Sequence, residues 1–194
     1  GKGISVIYEG LLSDGSALIP CEDANIVTFE AAKAQLNAQT FGGASGDIHA
    51  ENMELKPLSC EFDLVRGNER VDVVWPVPGR HNVHNAVAAA ALALAAGLSL
   101  AEVSDGLKNF SNIKGRLNIK QGIKGATLID DTYNANPDSM KAAMDVLAAM
   151  PAPRIFVMGD MGELGEDEAA AMHAEVGAYA RDKGIEAAYF VGDN

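Results

Sequence analysis

The chain has 194 residues, 48% of them hydrophobic and 22% charged, so it can bury a sizeable core and suffices for one large or two small domains. A formal net charge of -12 argues against a general nucleic-acid binder or a partner of anionic membranes, which both need clustered Lys and Arg, but it permits a local anion site. The longest apolar run, Ala86 to Ala96, is too short to span a bilayer, and Cys21 and Cys60 lack metal-ligand spacing and any signal-peptide context.

A cytoplasmic protein with two free buried thiols is therefore expected. The pattern predicts strands at Ile4–Tyr8 and Ala17–Pro20 and a helix over Phe29–Gln39. Gly42, Gly43 and Gly46 then open a region where Asp47–Leu55, Cys60–Arg66 and Val71–Trp75 read as strands. Arg66-Gly67-Asn68-Glu69 supplies a hairpin turn between the last two, giving an antiparallel meander. Two helices follow. One runs over Arg80–Ala96, is expected to be buried and stops at Gly97; the other starts near Ser99, with Glu102 at the capping-box position, and ends near Phe110. Beyond a junction at Asn112–Gly115 come strand Ala126–Ile129, helix Pro137–Met150, strand Ile155–Met158, helix Glu166–Lys183 and strand Ala187–Val191. Such alternation predicts an α/β unit with a parallel sheet. Three strands are fewer than a finished doubly wound domain has, so the chain is expected to end in mid-domain.

Two polar constellations stand out. Leu128-Ile129-Asp130-Asp131-Thr132-Tyr133-Asn134-Ala135-Asn136-Pro137 runs from an apolar strand into a polar loop, with Asn136 suited to the N-cap and Pro137 to the first helical position. Open α/β sheets bind ligands at such strand ends, where helix amides attract anions and a carboxylate can accept from sugar hydroxyls. Nucleotide binding and an ordinary capped turn both fit this segment. In Pro78-Gly79-Arg80-His81-Asn82-Val83-His84-Asn85, the side chains of His81, Asn82 and Asn85 share one face at the start of an apolar helix. A carboxamide can match the donor and acceptor edge of adenine. Helix capping with solvated imidazoles, or a His81–His84 metal pair, are the alternatives.

Together with Lys114-Gly115-Arg116-Leu117 and Met158-Gly159-Asp160-Met161-Gly162-Glu163-Leu164-Gly165, these motifs resemble the Mur ligase family in order and spacing over nearly the whole chain. The resemblance implies the second half of a central ATPase domain, a mixed sheet with helices, over residues 1–114, and an incomplete Rossmann-like C-terminal domain over 115–194. It implies ATP as cofactor, with Asn85 and Asn82 against adenine, Arg116 near the phosphates and Asp131 on the ribose. Tyr133, Asn134 and Asn136 would shape the same cleft, and Gly159, Asp160 and Glu163 a cleft for peptide substrates. The implied partners are a UDP-N-acetylmuramoyl-tripeptide and D-alanyl-D-alanine, joined through an acyl phosphate in peptidoglycan precursor synthesis by a cytoplasmic monomer.

The sequence departs from the family in what it lacks. No Gly-x-x-Gly-Lys-[Ser/Thr] stretch occurs, and the family's Mg2+ ligands have no counterpart here, so the segment alone is expected to be inactive. The family's carbamylated lysine lies just before a stretch like Ile7-Tyr8-Glu9-Gly10; Lys2 lies about two positions too early and is left out of the site. Another Mur or folylpolyglutamate-type ligase, a non-catalytic nucleotide-binding module and a purely structural domain are the alternatives.

Overall fold

The computed structural model describes residues 8, 10–12, 15–22, 36, 38–111, 113–162 and 166–192. Its first compact unit holds a five-stranded sheet of β1 (Ala17–Pro20), β2 (Ala38–Gly42), β3 (Ile48–Leu55), β4 (Cys60–Arg66) and β5 (Glu69–Trp75), ordered as in the chain. β1, β2 and β3 run parallel, and β3, β4 and β5 form the predicted antiparallel meander. Alternation along β4 puts Cys60, Phe62 and Leu64 on the buried face and leaves Glu61 and Asp63 outside it. β5 begins two residues before the predicted Val71, because the tight Gly67-Asn68 turn, with Gly67 at φ +59°, brings Glu69 directly opposite Arg66. A bulge between Glu51 and Glu54 bends β3, with Asn52 in the left-handed region and its amide donating to Asp63 Oδ2 at 2.7 Å.

Helix α1 (Arg80–Ala95) lies across β1 to β4 and buries Val83, Ala86, Val87, Ala90, Ala91 and Leu94, the stripe that a 3.6-residue period places on one side. Leu92 is 65% exposed, so α1 is amphipathic rather than buried all round. It ends as predicted at Gly97, at φ +98°, where the Leu98 amide reaches back to the Ala93 carbonyl at 3.1 Å. Helix α2 (Leu100–Lys108) opens with the predicted capping box: the Glu102 amide donates to Ser99 Oγ at 3.3 Å, and the Ser99 amide to Glu102 Oε2 at 2.8 Å. It packs on β5, where Ser104 Oγ donates to the Asp72 carbonyl at 2.7 Å.

Several expectations need correction or lie outside the described residues. Ala38 and Gln39, assigned by the sequence to a helix over Phe29–Gln39, belong to β2, because parallel pairing with Ala17 and Leu18 outweighs local helix propensity. The rest of that segment, apart from the turn at Leu36, is outside the described residues, as are Lys2, Ile4–Ile7 and Glu9. Tyr8 is not in a strand; its hydroxyl donates to the Leu18 carbonyl at 3.1 Å. Cys60 is a buried thiol outside any disulfide, but Cys21 is only half-buried, with its Sγ turned to the Ser45 carbonyl at 2.9 Å.

The second unit carries β6 (Asn118–Gln121), a 3-10 turn (Ile123–Gly125), β7 (Thr127–Asp130), α3 (Pro137–Ala148), β8 (Ile155–Gly159), α4 (Glu166–Asp182) and β9 (Ala187–Val191). The parallel pairing predicted from strand-helix alternation is present between β8 and β9. β7 departs from it: it pairs antiparallel with β6, a strand the sequence did not announce, through a tight connection in which the Gly122 amide donates to the Ala126 carbonyl at 2.7 Å. Asn136 caps α3 by accepting from the Ser139 amide at 2.8 Å, with Pro137 at the first helical position as expected. Met144, Met158, Met161, Val176 and Ala180 form the core. No helix among the described residues is long and apolar enough to cross a membrane.

Arg154 ties the α3–β8 and α4–β9 connections of this unit together. Its guanidinium donates to both Glu186 oxygens, at 2.8 and 3.1 Å, to the Ala148 carbonyl at 2.9 Å and to the Gly184 carbonyl at 2.9 Å. Those bonds, with the Arg154 amide, hold the Glu186 carboxyl down at about 2 against an ordinary 4.5. A depressed carboxylate pKa stabilises the folded chain above the unfolded value and is lost on acidification, so this contribution fades from about pH 5 down to about pH 2. Arg154→Gln is expected to lower Tm near neutrality and to narrow its gap from the parent as pH falls through that window. A gap independent of pH would contradict this assignment.

Candidate functional site

The predicted site residues fall into two groups, one in each unit. In the first unit, the opening turns of α1 carry Asn82 and Asn85 side by side. Asn85 is exposed, and its Nδ2 donates to Asn82 Oδ1 at 3.2 Å, orienting one carboxamide by the other. This positions a donor and acceptor edge of the kind adenine recognition needs.

His84, on the same turn, serves the scaffold. Its imidazole lies over Gly43, where a Cβ would come within 2.4 Å of Nε2, and its Nδ1 is 3.6 Å from Glu22 Oε2. The other Glu22 oxygen accepts from the Ala44 amide at 2.6 Å and the Ser45 amide at 3.1 Å. Partial burial pushes the Glu22 carboxyl up, but the amides of Ala44, Gly43 and Ser45, with His84, outweigh it and hold it below the usual range. Thus the end of β1, the β2–β3 loop and the start of α1 are tied together. No three His, Cys, Asp or Glu side chains cluster as a metal site among the described residues.

In the second unit the loops before β6 and after β7 meet. The Leu117 amide donates to Asp131 Oδ1 at 3.1 Å, the Tyr133 amide donates to the Gly115 carbonyl at 3.0 Å, and the Arg116 guanidinium lies 4.2 Å from the Tyr133 ring centroid. Gly115 has φ +76°, a conformation that strains any L side chain, and a Cβ there would also crowd the Tyr133 nitrogen at 3.1 Å. Arg116, Asp131 and Tyr133 therefore form one local arrangement although Arg116 and Asp131 are 15 positions apart in the chain.

The two adjacent aspartates have different uses. Asp130 pairs with Lys120 and accepts from Thr132 Oγ1 at 2.7 Å, which holds its carboxyl below the usual range; Asp131 faces the Leu117 amide instead. Asp131, Thr132 and Asn134 also stand at the polar side of a cavity of about 190 Å³ whose apolar side includes Met140 and Phe156. Asn134 Oδ1 accepts from the neighbouring Ala135 amide at 2.9 Å, and Asn136 is engaged as the α3 cap. Gly159 and Asp160 are exposed at the carboxyl end of β8, and Glu163 lies outside the described residues. Sequence reasoning passed over His173, whose Nε2 accepts the Met161 amide at 3.1 Å just beyond Asp160. A single histidine inside a helix offers no pattern that would have pointed to it.

Two family models match, a Mur ligase middle domain over residues 4–93 and a Mur ligase glutamate ligase domain over residues 115–194. The UDP-N-acetylmuramoyl-tripeptide--D-alanyl-D-alanine ligase of Escherichia coli is 38% identical over 193 residues, 98% of this chain and 42% of the relative. The chain thus spans about two fifths of that protein's length. Among solved structures, MurF from Acinetobacter baumannii superposes with a TM-score of 0.85 at 35% identity, covering 96% of this chain and 45% of that one. MurF ligase from Thermotoga maritima in complex with ADP shares the fold, with a TM-score of 0.71 at 20% identity over 91% of this chain and 40% of that one. With both family models matched in order along the chain and the fold shared with MurF, the chain belongs to the Mur ligase family.

Proposed function

We propose that this chain supplies the nucleotide-contacting part of an ATP-dependent ligase that joins D-alanyl-D-alanine to a UDP-N-acetylmuramoyl-tripeptide in peptidoglycan precursor synthesis. The observation that carries this reading is the link from the Leu117 amide to Asp131 Oδ1, which places a cationic side chain, Arg116, next in sequence to the residue gripping a candidate ribose ligand. The similarity to ligases of that name supports the choice of substrates.

In the proposed site Asn85, braced by Asn82, reads the adenine edge, Asp131 accepts from ribose hydroxyls, and Arg116 neutralises phosphate charge. Tyr133 holds the guanidinium plane, while Asn134 and Asn136 shape the β7–α3 loop. The chemistry ATP supplies is activation of the tripeptide carboxylate as an acyl phosphate; the acceptor amine then forms the amide and inorganic phosphate leaves. Positioning and charge neutralisation are the protein's contributions. The Mg2+ and phosphate-loop contacts are assigned to sequence outside these 194 residues, residues 1–114 to the central domain, and 115–194 to a Rossmann-like domain. The complete enzyme is read as a cytoplasmic monomer that binds neither nucleic acid nor membrane.

The test is phosphate release by the complete polypeptide. Release should require ATP, the tripeptide precursor and D-alanyl-D-alanine together, and the purified 194-residue chain should form no amide. Turnover with L-alanine or glutamate as acceptor, and none with the D-dipeptide, would overturn the assignment in favour of another ligase of the family.

A further inference from the structure

The exit of β8 is held by a histidine that the nucleotide reading does not use. His173 lies on α4 with its side chain only 10% exposed. Its Nδ1 is 2.7 Å from the Ala169 carbonyl one turn earlier, and a carbonyl can only accept, so Nδ1 carries the proton. Nε2 is then an acceptor, and it takes the Met161 amide at 3.1 Å. The Met161 side chain is 4% exposed in the core beside Met158 and Val176, so backbone and side chain of this residue are both anchored.

Asp160 is the residue placed by that anchor. Its Oδ1 lies 3.8 Å from His173 Nε2, too far for a hydrogen bond, and its carboxyl rests against Gly192, where a Cβ would come within 2.3 Å. Gly159 at the end of β8 is paired with Val191 at the end of β9, so Asp160 sits at the carboxyl edge of a parallel strand pair, where open α/β folds receive ligands.

We propose that His173 is a positioning residue that fixes the β8 exit so that the Asp160 carboxylate receives the ammonium group of the acceptor dipeptide. This rests on the ligase reading above. The geometry assigns His173 an effect on the acceptor and not on the nucleotide, because its bonds reach Met161 and Ala169 and none reaches the Arg116–Asp131 arrangement.

The test compares the complete polypeptide with its His173→Leu and His173→Gln variants. Leucine keeps the packed volume and removes both polar atoms, whereas glutamine can again accept from Met161 and donate to Ala169. In His173→Leu the Met161 amide, left without its acceptor, is expected to exchange with solvent at least about tenfold faster, and KM for D-alanyl-D-alanine to rise about tenfold, with KM for ATP within about twofold of the parent. His173→Gln should recover most of both effects. Unchanged Met161 exchange in His173→Leu, or equal rises in KM for both substrates, would overturn the proposal. A parent protein that uses no D-dipeptide would overturn the ligase reading instead, and the exchange measurement would then still decide whether His173 positions this loop.

Discussion

Arg116→Ala is expected to lower kcat/KM of the complete polypeptide about 10²- to 10³-fold on the proposed reading, in which Arg116 neutralises phosphate charge that a flexible water network would otherwise have to offset. Arg116 is exposed, and its guanidinium packs on Tyr133 rather than in the core, so the substitution should leave Tm nearly unchanged. That separates a functional loss from a folding defect. Arg116→Lys should recover only part of the activity, since an ammonium keeps the charge but loses the planar stack on the ring. Tyr133→Ala should then behave as a milder version of Arg116→Lys. Full activity in the lysine variant would show that the stack at 4.2 Å has no role in orienting the cation.

Leu64→Ala carries the largest expected cost to folding. Leu64 is wholly buried at the centre of β4, between Ala50 on β3 and Val71 on β5, with the ladder fixed on both sides. A sheet so pinned cannot close over a deleted isobutyl group, and the combined transfer and cavity terms come to about 2–5 kcal/mol. The only tryptophan, Trp75, lies in the same sheet, is 6% exposed and has its ring centroid 4.8 Å from that of Phe110, so its fluorescence reports this unit directly. Denaturation followed at Trp75 should show the midpoint shift corresponding to that loss at unchanged m. A shift worth less than about 1 kcal/mol would mean that the sheet relaxes around the cavity.

What the sequence could and could not announce follows from the origin of each signal. β4, α2 and the start of α3 were legible because their causes are local: strict alternation from Cys60 to Leu64, the Ser99–Glu102 box, and Asn136 before Pro137. β6 was not, since Asn118-Ile119-Lys120-Gln121 has one apolar residue and becomes a strand only through pairing with β7. That pairing also gives β7 an antiparallel neighbour that strand-helix alternation alone does not imply. Ala38 and Gln39 were misassigned for the same reason, their strand being set by a parallel partner 21 positions earlier.

The candidate site shows the same division. The motifs single out Asn85, Arg116 and Asp131 as candidates, but not the contacts that support them. Asp130 and Asp131 are equivalent as letters and are distinguished only by Lys120 across the hairpin and the Leu117 amide from a preceding loop. Glu22, Gly43 and His84 converge from three separated segments, and His173 finds Met161 12 positions away. These contacts exist only once the chain is folded.

The most direct test of the central claim, that these residues form the nucleotide site of an ATP-dependent ligase, is an amide-resolved magnetic resonance titration of the complete polypeptide with ATP. The Asn85 side-chain amide and the Leu117 backbone amide are expected to shift together, saturably and with one apparent Kd, and Asp131→Ala is expected to weaken that Kd about tenfold or more. Saturable ATP binding that moves neither signal, or an Asp131→Ala variant of undiminished affinity, would contradict it.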